Sequence, residues 1–176
     1  MTRKVEIVSD VWLGSDGQRL VIPVEGTGVA AEDALARRAQ VLALAEPRKI
    51  LGCVLTLDDG TEVSIDAPML PALLPDRSGI LGIFPPSWYI NEAGDDVFGF
   101  PNNAAVFNVD GTLRFQVNVG KEPIHHIALV YGVLDGKFSG MLGLHVAFGA
   151  DCPPEQIYAL DSAVPGLIPT LHTVRF

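Results

Sequence analysis

Ile50-Leu-Gly-Cys-Val-Leu-Thr-Leu-Asp-Asp-Gly-Thr-Glu-Val-Ser-Ile65 is two apolar runs joined across Asp58-Asp59-Gly60. Glycine reaches positive φ without a Cβ clash and aspartate tolerates it, so Asp-Gly between such runs marks a hairpin. A three-residue loop sets Leu57 opposite Thr61, Leu55 opposite Val63 and Cys53 opposite Ile65. That register makes one face apolar and leaves Thr56, Glu62 and Ser64 on the other, whereas a two-residue loop would mix the faces.

The same step recurs at Asp16-Gly17, Asp110-Gly111 and Asp135-Gly136. A strand over 5–13 is expected to return over 18–24. The stretch 104–117 folds back about Val109-Asp110-Gly111, pairing Phe107 with Leu113 and Ala105 with Phe115 and turning Arg114 and Gln116 outward. Further strands are expected over 141–148, 156–160 and 171–176. The pattern is a mainly β (α+β) fold, with antiparallel hairpins forming a sandwich or open barrel.

One segment breaks the two-residue period. Ala31, Leu35, Leu42 and Ala45 recur at helical spacing, with Glu32 and Asp33 early, Arg37 and Arg38 later, and Pro47 as the stop. A helix near 30–46 packed on the sheet through its alanine face is the expectation. Residues 66–103 have another texture, with Pro68, Pro71, Pro75, Pro85, Pro86 and Pro101 and the aromatic pair Trp88-Tyr89. Proline cannot donate to a ladder, so this segment reads as a long connection rather than as central strands.

Residues 102–115 resemble the strand-turn-strand of an NHL-type β-propeller blade over about a dozen positions. The Asp-Gly steps lie 43, 51 and 25 residues apart, which is no repeat period, and the resemblance implies no function.

The chain has 176 residues, 48% of them hydrophobic and 19% charged, with 18 Gly and 13 Pro. That composition suits a packed, turn-rich β domain, and no linker-like stretch divides residues 1–176. Two cysteines, Cys53 and Cys152, are too few for a disulfide framework and read as buried thiols. Glu6, Ser9 and Asp10 interrupt any leader-like apolar run, and no stretch reaches the roughly 18 apolar residues of a membrane span. No membrane partner is expected, and a cytoplasmic location is the default. Twenty-one acidic residues against 12 basic ones give a net charge of −9, which repels phosphate backbones and attracts cationic partners. With no Lys/Arg stripe, no nucleic-acid partner is expected.

Motifs for catalysis are missing: the chain has no Gly-x-Ser-x-Gly elbow, no phosphate-binding Gly-x-x-x-x-Gly-Lys-[Ser/Thr] and no Gly-x-Gly-x-x-Gly. The sharpest chemical constellation is a histidine pair. If Asp135-Gly136 is a two-residue loop, Leu134 meets Lys137 and His126 meets His145; a three-residue loop puts His125 there instead. Directly opposed Cβ atoms stand about 4.5–5.5 Å apart, close enough for two imidazoles to share a divalent metal. A third ligand would come from His172, Asp151, Cys152 or Glu155. The ordinary reading of the pair is a plain cross-strand contact. Glu92, Asp95 and Asp96 form an acidic loop cluster beside Trp88 and Tyr89, and these five are the candidate partner-binding residues.

These features lead to the expectation of a non-enzymatic acidic protein that binds a basic protein partner and needs no cofactor. Bacterial immunity and inhibitor proteins are the class that size and charge suit. The alternative is a β-barrel or sandwich that binds a small ligand or a metal at His126 and His145, or an enzyme of unfamiliar type. A homo-oligomer paired through the strand edge at 171–176 is a third arrangement.

Overall fold

The computed structural model describes residues 2–84, 98, 102–119, 125–148 and 155–174. Their strands form three antiparallel sheets of four strands each. The first sheet has the order β2-β1-β3-β4, from β1 (Val5–Leu13), β2 (Arg19–Gly26), β3 (Lys49–Leu57) and β4 (Glu62–Ile65). The second runs β5-β6-β7-β8, from β5 (Leu70–Leu73), β6 (Gly79–Ile83), β7 (Ala104–Asn108) and β8 (Leu113–Gln116). The third runs β12-β11-β10-β9, from β9 (His125–Val133), β10 (Leu142–Phe148), β11 (Glu155–Leu160) and β12 (Leu167–Val174).

The sheets stack as three layers, and the alternation of side chains on the middle one shows how. Ile80, Phe84, Ala105 and Phe107 point to one side, where they meet Val5, Val8, Cys53, Leu55, Leu57 and Ile65 of the first sheet. Their neighbours Leu81, Ile83, Ala104 and Val106 point to the other, against Ile127, Leu142, Leu144, Val146 and Leu160 of the third. Successive residues of a strand face opposite sides, so one sheet serves two cores. A strand buried on both faces carries an unbroken apolar run, and every residue of β6 is buried.

The hairpin of β3 and β4 has the expected register, with Cys53 opposite Ile65 and Leu55 opposite Val63, and Leu57 N–H donates to Thr61 O at 2.9 Å. The Pro-rich stretch differs from expectation, since it contains β5 and β6. Pro71 sits in β5, at the edge of its sheet, where a missing N–H costs least. In β7 and β8, Phe107 faces Leu113 as expected, but Ala105 faces Gln116 and not Phe115, because a bulge at Arg114 intervenes. A 3-10 turn (Ala31–Asp33) runs into α1 (Ala34–Leu42), within the expected span. It touches β2 but buries none of its own residues, and Leu35 and Leu42 stay exposed, so the expected close packing of its alanine face is not formed. Arg48 caps its end by donating to Leu42 O at 3.1 Å. No helix among the described residues is long and apolar enough to cross a membrane.

Side chains stitch the layers together. Asn103, 1% exposed, accepts from Ile127 N–H at 2.8 Å and donates through Nδ2 to Ile127 O at 2.9 Å and Phe84 O at 3.3 Å. It thereby acts as one rung of ladder between the second and third sheets. Arg114 joins three turns: it donates to Asn108 Oδ1 at 2.7 Å, Ser78 O at 2.7 Å and Ser162 O at 2.9 Å. A bulge re-aims the residue it contains, which is how a strand side chain reaches so far sideways. Beside it, Asp76 accepts from Ser78 and Ser162. Burial alone would raise the Asp76 carboxyl, but those bonds and the Arg114 charge outweigh it and hold the group below the usual range.

Candidate binding site

The outer face of the third sheet, turned away from the second, carries exposed apolar side chains beside two histidines and a cavity. Leu142, Leu144 and Val146 of β10 point into the core, so His145 points outward. Directly opposed across four strands stand Leu129, His145, Ile157 and His172. Leu129 and Tyr131 are exposed on this face, and Leu171 is exposed on β12; Val133, opposite Leu142, is exposed at the strand end on the other side. Single exposed apolar residues are ordinary, but a cluster marks a contact surface.

Two irregularities shape the face. Strand β9 carries an extra residue at Ala128 and another at Tyr131 relative to β10. The second bulge brings the Tyr131 ring over His145, with centroids 5.6 Å apart and planes at 48°, and His145 is only 3% exposed. In β12 the register slips between Ile157 and Tyr158 of its partner, leaving Thr170 and Leu171 without a rung. Thr170 Oγ1 replaces the lost ladder bond by donating to Ile157 O at 2.6 Å. Leu171 takes φ 65 with 87% of its surface exposed. A bulky residue in that region is strained and persists only where the surroundings impose it, as they commonly do at binding sites.

Between these features lies a cavity of about 120 Å³. Tyr131 and Leu134 wall one side, Asp135 and Phe138 come from the β9–β10 loop, and Ile157, Thr170 and His172 close the other. The loop is not a two-residue turn. Leu134 to Met141 separate the strands, with a 3-10 turn at Gly136–Phe138 and Leu134 N–H donating to Met141 O at 2.9 Å. Gly136 and Gly140, at φ 59 and 82, allow the chain to fold Asp135 and Phe138 over the sheet end. Lys137 Nζ stands 4.6 Å from the centre of the Phe138 ring. Among the described residues the Asp135 carboxylate and the His172 ring make no hydrogen bond or ion pair.

The long loop and the two bulges correct the expected histidine register. His145 stands opposite Leu129, His126 opposite Ala147, and His125 opposite Phe148. The two histidines share the outer face on neighbouring rungs instead of meeting. Among the described residues no three His, Cys, Asp or Glu side chains gather as metal ligands would. Trp88, Tyr89, Glu92, Asp95 and Asp96 lie outside the described residues, as do Asp151 and Cys152. Of the cavity residues only His172 was singled out from sequence, as a possible third ligand. The signal for the rest was the pair Gly136 and Gly140, four residues apart, which favours a loop longer than two.

A second unusual group lies between the first and second sheets. Asp10, opposite Cys53 and Ile22, keeps its Oδ1 buried with no hydrogen-bond partner among the described residues. Burial pushes its carboxyl up to about 6, against which a hydrogen bond with the Trp12 side chain works only in part. Cys53 is a free, buried thiol, pushed up to about 12 by burial first and by the charge of Asp10 second. A thiol held so firmly protonated is a poor nucleophile.

The fold and site define a three-layer stack of antiparallel sheets with an apolar, cavity-bearing outer face. Comparison with protein-family models, with curated proteins and with solved structures finds no match for this chain.

Proposed function

We propose that this is a non-enzymatic acidic binding protein that engages a basic protein partner through the outer face of its third sheet. The observation that carries the reading is a cavity lined by Tyr131 and the acidic residue Asp135, with exposed Leu129 and Leu171 on the same sheet. Protein interfaces combine an apolar, aromatic centre with a polar rim, and this face has that make-up. The net charge of −9 supports a cationic partner, because complementary charge speeds encounter and excludes wrong partners. Pockets for drug-sized ligands run to about 300–1,000 Å³, well above this cavity, so its occupant is no larger than a side chain. A cytoplasmic immunity or inhibitor protein of bacterial type is the class that fits these properties.

The test is capture of the tagged protein from its native lysate at low and at high salt, read by native mass spectrometry. A stoichiometric basic protein that is lost at high salt is the expected result. A bound metal or small molecule without a protein would overturn the reading. So would a second copy of this chain in place of a basic protein, which would move the contact to β12, an edge strand of its sheet.

A further inference from the structure

We propose that the third-sheet cavity is a socket for one arginine side chain of the partner, with Asp135 meeting the guanidinium and Tyr131 stacking against it. The inference rests on the basic-partner reading and adds the residue that is read and the residues that read it.

Size limits the occupant first. A cavity of about 150 Å³ lined by apolar side chains holds one benzene, so about 120 Å³ admits the end of one side chain and little more. Wall chemistry selects the charge. Asp135 is the acidic group in the wall, and among the described residues its carboxylate is not engaged by a donor. Lys137, two residues away, does not neutralise it, because its ammonium is held over Phe138 instead. The carboxylate is therefore available to an incoming cation, and an anion would meet both it and a net charge of −9.

Wall shape separates arginine from lysine. A guanidinium is planar, stacks on aromatic rings and offers a fork of donors that matches a carboxylate; an ammonium does neither. Tyr131 supplies a ring to the same cavity as Asp135, and Leu134 supplies apolar wall for the methylene stem. Leu171, exposed and strained between two lining residues, stands where the partner's backbone would pass. Thr170 is committed to Ile157 O and does not compete for the cation.

The experiment uses the full chain and a small probe, N-acetyl-arginine methylamide, followed by shifts of backbone amide signals. The uncharged isostere N-acetyl-citrulline methylamide and the lysine counterpart serve as controls. Arginine should shift the signals of Tyr131, Asp135, Phe138 and His172. Citrulline should bind about fivefold more weakly, since a charge-assisted bond is roughly twice as strong as a neutral one. Asp135→Asn, on an exposed loop, should weaken the arginine probe by a similar factor. Tyr131→Leu should weaken arginine more than lysine. Equal binding of citrulline and arginine, shifts located elsewhere, or an unchanged Asp135→Asn would overturn the proposal. The two readings fail separately. A basic partner captured equally by wild type and Asp135→Asn removes the socket and leaves the function. A socket that binds arginine in a protein that captures no basic partner removes the function and leaves the socket.

Discussion

Asn103→Ala should be among the most damaging single changes in this protein, and the cost can be worked from its bonds. The side chain is fully enclosed and makes three hydrogen bonds, one accepted from Ile127 N–H and two donated to Ile127 O and Phe84 O. Alanine leaves a buried N–H and at least one carbonyl unpaired, at about 1–3 kcal/mol for each group. The side-chain volume also becomes a void. A loss of about 3–5 kcal/mol follows, a large part of the 5–15 kcal/mol typical of a whole domain. Asn103→Asp separates polarity from volume. Its carboxylate can still accept from Ile127 N–H, but it faces two carbonyl oxygens where an amide donated. A buried, repelled carboxylate takes up a proton more readily than it does unfolded, so this variant should be harmed less at pH 4 than at pH 8. Urea denaturation at both values measures this, with the slope of the transition as a check that the unfolded state is unchanged. A loss under about 1 kcal/mol for Asn103→Ala would show that this side chain does not hold the second and third sheets together.

Three other outcomes are expected. Asp10 is raised to about 6 in the folded chain against about 3.9 unfolded, so between those values the native state binds the extra proton and gains stability as pH falls. Asp10→Asn should thus be more stable than wild type by up to about 3 kcal/mol at pH 8, with the gain vanishing near pH 4; a gain independent of pH in chemical denaturation would refute this. Arg114→Ala should cost about 2–4 kcal/mol by releasing Ser78 O, Asn108 Oδ1 and Ser162 O, and Arg114→Lys should recover less than half, because one ammonium cannot span three partners. Full recovery by lysine in a thermal melt would contradict that. Leu171→Gly should hold or raise the melting temperature, since relief of a strained φ of 65 is worth about 1 kcal/mol and the side chain buries little; a drop of several degrees would show that Leu171 packs in a way its exposure hides.

Much of the hairpin chemistry was legible because turn length and face polarity constrain each other. At Asp58-Asp59-Gly60 only one loop length keeps Cys53, Leu55, Val63 and Ile65 on one face, and that register is the one observed. Where bulges occur the logic fails. Arg114, Ala128 and Tyr131 each add a residue to one strand, and an inserted residue leaves the alternation of types almost unchanged while shifting every later pair. The middle strand β6 was hidden for a different reason. Ile80-Leu-Gly-Ile-Phe84 is apolar on both faces and shows no period, and the prolines around it suggested a loop. The cavity was illegible as a whole, since it joins a loop, a bulge and an edge strand that only the tertiary arrangement brings together. Tyr131 and Thr170 carry no mark in one dimension, and Asp135 is marked there only as a turn residue.

Hydrogen–deuterium exchange on the captured complex, compared with the free protein, tests the central claim most directly. Binding through the outer face of the third sheet predicts slowed exchange in residues 129–138 and 170–172, with the first sheet unchanged. Protection confined to the first sheet or to α1, with 129–138 exchanging as in the free protein, would contradict it.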